Sequence, residues 1–165
     1  EDLVRVLFDY GEERFARRIA NAVVTQRLEN PLETTQQFVN LLIEAIPFKE
    51  KHKHPATRSF QAVRIAINSE LEEITKVLDQ AVNVLASGGR MAVISFHSLE
   101  DRIVKNYFKK WTKSCICPTE AFRCDCGNDH QKGKALTKKP IIPTKAEIKQ
   151  NPRSRSSKLR VFRFD

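Results

Sequence analysis

The sequence predicts an α/β protein whose first half is helical and whose second half carries the strands. Three observations lead there. Apolar residues recur at helical spacing over the first 85 positions. Ser87-Gly88-Gly89 ends that pattern and hands over to a short apolar run, Arg90-Met91-Ala92-Val93-Ile94-Ser95-Phe96. A fresh helical pattern opens at Ser98, so helix, strand and helix follow one another as in half of a doubly wound layer.

Each element has its own signal. Leu3, Leu7 and Phe8 share one helical face, and Phe15, Ile19, Ala20, Val23 and Val24 repeat the pattern after Gly11. Asn30-Pro31 interrupts it. Phe38, Leu41, Leu42, Ala45 and Ile46 make a further amphipathic helix, closed by Pro47. A polar link, Lys49 to His54, leads into what reads as one long helix, striped by Phe60, Val63, Ile67, Leu71, Ile74, Leu78, Ala81 and Leu85. The run from Arg90 to Phe96, fed through a glycine turn, reads as a buried strand of a parallel sheet. Ser98 is the predicted cap of the next helix, with acids in its first turn and Leu99, Ile103, Tyr107, Phe108 and Trp111 along its face. Residues 114–135 show no regular pattern, and strand-like stretches near 136–142 and 158–164 complete the chain.

With 165 residues the chain can build one modest core or part of a larger one. It opens on Glu1 in mid-pattern, which predicts a fragment. No apolar run reaches membrane-spanning length and no secretion signal is visible, so the expected compartment is the cytoplasm. Charge is unevenly placed. Residues 1–130 hold 18 basic and 18 acidic groups, whereas residues 131–165 hold 11 basic groups against Glu147 and Asp165, so the whole +9 excess lies in the last 35 positions. Pro140-Ile141-Ile142-Pro143 and Leu159-Arg160-Val161-Phe162 predict that this segment packs, and a packed basic surface points to a polyphosphate partner such as RNA.

Three polar constellations stand out. Ser95 to Arg102 lies where a strand ends and a helix begins, the usual place for a ligand in an open α/β sheet. There His97 can bond a base or phosphate, and free amides can hold an anion. Helix capping by Ser98 and Asp101, with Glu100 and Arg102 in water, explains the same residues without a substrate. On the helix after His54-Pro55, Thr57, Gln61, Arg64 and Asn68 share a face suited to phosphate and base edges, which is equally the face of any solvated helix. Asn151-Pro152-Arg153-Ser154-Arg155-Ser156 alternates guanidinium groups with hydroxyls, again a phosphate-binding pattern.

All four cysteines fall in two close pairs, Cys115/Cys117 and Cys124/Cys126. Such a set can surround one tetrahedral zinc, although the pairs are spaced C-x-C and not the commoner C-x-x-C; four free thiols are the alternative. A zinc held by four thiolates has no open position, so its role would be structural. No glycine-rich cofactor loop follows a strand, because Gly88-Gly89 precedes one.

Five blocks in this order are diagnostic together: Tyr10-Gly11-Glu12-Glu13-Arg14-Phe15-Ala16, His54-Pro55-Ala56-Thr57-Arg58-Ser59-Phe60-Gln61-Ala62, Gly88-Gly89-Arg90, Ile94 through Lys105, and Asn151 through Ser156. Through them the chain resembles the ribosomal RNA small subunit methyltransferase H family from its first residue nearly to its last. The resemblance implies the C-terminal half of a class I (Rossmann-like) methyltransferase domain with an inserted helical subdomain. Residues 1–50 would belong to the insert and 51–165 to the methyltransferase domain. It further implies methyl transfer from S-adenosylmethionine to N4 of a cytidine in the decoding region of small-subunit rRNA. The family's cofactor loop precedes the region seen here, so this chain alone is expected to be inactive. Arg58, Gln61, His97, Ser98, Asp101, Arg153 and Arg155 match family motif positions on the RNA side, and the helix face adds Arg64. His97 and Asp101 are the candidate proton or hydrogen-bond acceptors for the amine. The implied partners are small-subunit rRNA or the assembling small subunit, with no membrane; a homodimer is left open. The competing expectation is a non-enzymatic basic RNA-binding module stapled by a four-cysteine zinc site.

Overall fold

A computed structural model describes residues 1–48, 54–118 and 120–165, and the link predicted at Lys49–His54 falls mostly outside them. The chain forms two compact units, Glu1–Glu70 and Leu71–Asp165. Among the described residues the architecture is α/β, with one small sheet.

The first unit is wholly helical. Helix α1 (Asp2–Arg5) runs into a π-helical turn over Val6–Tyr10. This extra width rotates the predicted apolar face: Leu7 is fully buried, whereas Phe8 is left exposed. Helix α2 (Ala16–Glu29) buries Ala16, Ile19, Ala20 and Val23. Helix α3 (Thr35–Ala45) starts in a capping box, in which Thr34 Oγ1 accepts from the Gln37 amide and Gln37 Oε1 accepts from the Thr34 amide. Helix α4 (Thr57–Asn68) closes the core with Ala62, and Phe38 meets Phe60 edge to face at 5.3 Å.

The predicted long helix does not run through. Ser69 adopts a left-handed conformation (φ 50°) and divides it into α4 and α5 (Glu70–Val84). Beside the break, Arg64 holds Glu70 through two hydrogen bonds of 2.7 and 2.9 Å, and Asn68 also reaches that carboxylate. Apolar periodicity passes smoothly across a single left-handed residue, so the stripe alone conceals the corner.

In the second unit, β1 (Arg90–Ser95), β2 (Gly133–Ala135) and β3 (Lys158–Phe164) form a sheet ordered β1-β3-β2. Both pairings are antiparallel: Arg90 lies opposite Arg163, Ser95 opposite Lys158, and Gly133 opposite Phe164. The strand expected at 90–96 is present, but neither a parallel neighbour nor full burial is found among the described residues. Its described neighbour runs the other way, and β1 is only alternately covered, with Ile94 exposed. Apolar content reports neither a neighbour's direction nor full cover on both faces. The strand-like stretch near 136–142 contributes an isolated bridge, Ile141 to Leu159, while the regular pairing lies earlier, at Gly133–Ala135.

Strand β3 alternates with period two, and Arg160, Phe162 and Phe164 face inward. Helix α6 (Ser98–Trp111) packs Val104, Phe108 and Trp111 on that face, and α5 adds Leu78 and Ala81. Phe162 is fully enclosed, its ring 5.3 Å from both Phe108 and Trp111 and 5.0 Å from Phe164. Gly133 sits flat against β3 with φ 151°; a Cβ there would collide with the Arg163 carbonyl oxygen. Short helix α7 (Lys145–Gln150) and a 3-10 turn (Pro152–Ser156) lead into β3. Replacing Phe162 by Ala is expected to cost about 3–5 kcal/mol, combining lost transfer energy and an unfilled cavity. Urea titration of the protein measures this, and a loss below about 1 kcal/mol would show that the aromatic cluster is not the core of this unit.

Candidate nucleic-acid and catalytic site

The end of β1, the start of α6 and the start of β3 meet at one end of the sheet. Ser95 closes β1 opposite Lys158, and its hydroxyl donates to the Lys158 carbonyl at 3.4 Å. Two residues on, His97 is the N-cap of α6: its Nδ1 accepts from the Glu100 amide at 3.4 Å. In return, Glu100 Oε2 accepts from the amides of Phe96 (2.7 Å) and His97 (3.1 Å). The capping box is thus His97-x-x-Glu100, one residue earlier than the predicted Ser98-x-x-Asp101 frame. Ser98 is the first helical residue and is exposed. Histidine lies outside the usual Ser/Thr/Asp/Asn capping set, which is why sequence reasoning chose its neighbour. Burial works against the Glu100 carboxylate, but the imidazole beside it and the Phe96 and His97 amides hold its pKa below the ordinary value.

Capping fixes the ring's chemistry. With Nδ1 engaged as an acceptor, the proton of a neutral imidazole resides on Nε2. Nε2 is buried and makes no regular hydrogen bond among the described residues; Glu100 Oε1 stands 3.3 Å from it. A buried donor left over in a folded protein calls for a partner.

Asp101 behaves differently. It accepts two hydrogen bonds from the buried Arg160 guanidinium, Nε–Oδ1 2.7 Å and Nη2–Oδ2 3.1 Å, and Lys158 Nζ stands 3.5 Å from Oδ2. The hydrogen bond from Arg160, reinforced by both cations, overcomes burial and holds the Asp101 carboxyl below the usual range. A carboxylate so engaged is a poor proton acceptor. The role open to Asp101 in this geometry is to position α6 against β3, and sequence reasoning missed Arg160 and Lys158 as its partners because they lie 59 and 57 positions away.

Arg153 and Arg155 lie in the 3-10 turn immediately before Lys158, exposed on either side of buried Ser154. Asn151 orders the turn: its Oδ1 accepts from the Arg153 amide and its carbonyl accepts from Ser154 Oγ at 2.8 Å. Neither guanidinium meets a carboxylate among the described residues. The basic tail is therefore not one uniform surface. Arg160 is spent inside, Arg163 pairs with Asp165 at 3.0 Å, and the turn at 153–155 presents its charge outward.

In the first unit, Arg58 Nη1 reaches the Glu12 carbonyl and Gln61 Nε2 the Tyr10 carbonyl, each at 3.4 Å. Both tie α4 to the residues around the end of the π-helical turn, and Arg64 is paired with Glu70. Nothing among the described residues is a helix long and apolar enough to cross a membrane.

The four cysteines cluster just beyond the carboxyl end of α6, their sulfurs all within 4.8 Å of one another. Cys126 accepts from the Ile116 and Asn128 amides and its pKa falls to about 5; Cys115 accepts from the Cys117 amide, but the thiols of Cys124 and Cys126 push it up to about 12.

This fold and site define an α/β protein with a strand-end polar turn beside an exposed arginine pair. The methylase class fits that description, and the model of the MraW methylase family matches residues 1–165. The chain belongs to the MraW methylase family. It is similar to the ribosomal RNA small subunit methyltransferase H of Aliarcobacter butzleri (52% identity, 99% of this chain, 53% of the relative) and of Caldicellulosiruptor bescii (50%, 98% and 52%). The same protein of Nitratiruptor sp. is 46% identical, over 99% of this chain and 53% of its own length. The chain spans about half the length of the curated relatives it matches.

Asp101→Asn is expected to cost about 3–5 kcal/mol at neutral pH, because Arg160 is left buried without its counter-charge. Asp101 has a lowered folded-state pKa, so its contribution is complete above the unfolded value near 4 and is lost as pH falls through the folded value. Urea midpoints of the parent should therefore decline below about pH 4, and the variant should decline less. Parallel curves would exclude Asp101 as the titrating group.

Proposed function

We propose that the protein to which this chain belongs methylates a cytidine at N4 in the decoding region of small-subunit rRNA, using S-adenosylmethionine, in the cytoplasm. Family membership over residues 1–165 carries the reading, and relatives named for rRNA methylation support it. The alternative of a non-enzymatic module finds no support in those names. In this reading the three-stranded sheet is the trailing part of a larger Rossmann-like sheet, and the second edge of β1, unpaired among the described residues, takes the next strand. Residues 1–50 belong to the inserted helical subdomain.

The described residues do not fit a cofactor cradle. Gly88-Gly89 lies between α5 and β1, ahead of a strand, so it cannot form the strand-to-helix loop that lies against the adenosine and methionine parts of the cofactor. No step is therefore assigned to S-adenosylmethionine on this chain. Its residues act on the RNA. Arg153 and Arg155 grip backbone phosphates, and His97 Nε2–H, buried beside Glu100 in this structure, becomes a donor to an oxygen of the target nucleotide only where RNA binding uncovers it, holding the base by geometry and not by proton abstraction.

His97→Asn in the whole protein separates capping from recognition, since an asparagine oxygen still caps α6 while the Nε2 donor is lost. Turnover on small-subunit RNA should fall about 100-fold with the melting temperature nearly unchanged. Unaltered turnover would remove His97 from the site. Arg153→Gln with Arg155→Gln should raise KM for RNA and flatten its salt dependence by about two phosphate contacts, leaving kcat near the parent value. A kcat loss at constant KM would overturn the phosphate assignment.

A further inference from the structure

We propose that Cys115, Cys117, Cys124 and Cys126 bind one structural zinc ion, which fastens the connection between α6 and β2. The geometry points there first. The Sγ–Sγ separations are 3.5 Å for Cys124–Cys115, 3.5 Å for Cys124–Cys126 and 3.7 Å for Cys126–Cys115. Four sulfurs at the zinc–thiolate bond length of about 2.3 Å define a tetrahedron with edges of about 3.8 Å. Three of the sulfurs already stand close to those corners, and Cys117 Sγ lies within 4.8 Å of each of them. A disulfide requires about 2.05 Å, and all four cysteines are free.

The backbone is arranged for thiolates. The Ile116 amide donates to Cys126 Sγ at 3.5 Å, the Asn128 amide donates to the same sulfur, and the Cys117 amide donates to Cys115. Gly127 (φ 80°) and Asn128 (φ 59°) are both left-handed, which folds the chain back over Cys126. Amides aimed at sulfur offset the excess negative charge of a tetrathiolate on a divalent ion.

Packing supplies the second argument. Among the described residues between Trp111 and Gly133, none is buried; Ile116 is exposed and Phe122 wholly so. The neck is closed by Ser114 Oγ with Asn128 Oδ1 (2.9 Å), by the His130 amide on the Ser114 carbonyl (2.9 Å) and by the Lys132 amide on the Trp111 carbonyl (2.8 Å). Among the described residues no apolar core offsets the entropy of ordering the segment beyond that neck. A metal does so directly, because its binding free energy becomes folding free energy where no hydrophobic cluster exists. As each S–Zn bond forms, the thiol proton passes to solvent; no electron is transferred.

Four protein ligands leave no position for water or substrate. The cluster also lies past the carboxyl end of α6, whose 14 residues span about 21 Å from the His97 end. The ion therefore holds structure and takes no part in catalysis, and this inference stands whether or not the rRNA assignment does.

The test is the metal content of the whole protein, purified under reducing conditions and equilibrated with equimolar zinc. One tightly held zinc per chain is expected, and cobalt substitution should give the intense visible bands of a tetrahedral tetrathiolate. Cys124→Ser should lose the metal and expose residues 112–132 to rapid hydrogen exchange, with α6 and β3 still protected. If that variant does not fold, the cobalt spectrum of the parent decides alone. Substoichiometric zinc in the reduced protein, an iron chromophore, or an intact mass showing a disulfide would each overturn the proposal.

Discussion

Arg160 and Asp101 lie 59 residues apart, yet their side chains lock together in the interior with both oxygens of the carboxylate engaged. Taking two charges out of water costs several kcal/mol per ion, and the fork-to-fork geometry with Lys158 nearby offsets much of it. What the pair secures is position. It joins the first turn of α6 to the first half of β3, so the Ser95-Phe96-His97 turn cannot shift without unpairing a buried charge. The pre-organised imidazole, its proton confined to Nε2 by capping, depends on that join, as does the placement of the arginine turn that leads into β3.

The same strand supplies the hydrophobic counterpart. Successive inward positions of β3 carry Arg160, then Phe162, then Phe164, so one face passes within three side chains from an ion pair to an aromatic core. Polar recognition and apolar stability thus lie side by side on one element. Helix α6 mirrors the gradient, with His97, Glu100 and Asp101 at its amino end and Phe108 and Trp111 at its carboxyl end.

Much of this was legible in advance. Periodicity located α2, α3, α6 and β3, and the glycine pair marked the handover into β1. The errors have physical causes. A helical stripe survives a single left-handed residue, so Ser69 was invisible. The π-helical turn shifted register and exposed Phe8 where a regular helix would have buried it. Capping preference favoured Ser98, but the frame falls on His97-x-x-Glu100. Local pattern carries no information on which distant charge a residue will meet, so Asp101 looked like a cap or a base and its tie to Arg160 had no signal. The cysteine pairs were visible from spacing, but the gathering of their four sulfurs within 4.8 Å of one another is a property of the folded loop.

The sheet order carries a consequence for biosynthesis. Its middle strand, β3, is translated after both strands that flank it. While β1 and β2 emerge they have no shared partner, and their unpaired edges are open to chaperones, proteases or neighbouring chains. Only when Lys158–Phe164 leaves the ribosome can the sheet zip, bury Phe162 and supply Arg160 to Asp101. A chain that stops short of Lys158–Phe164 leaves β1 and β2 without the strand that joins them, and Asp101 without Arg160.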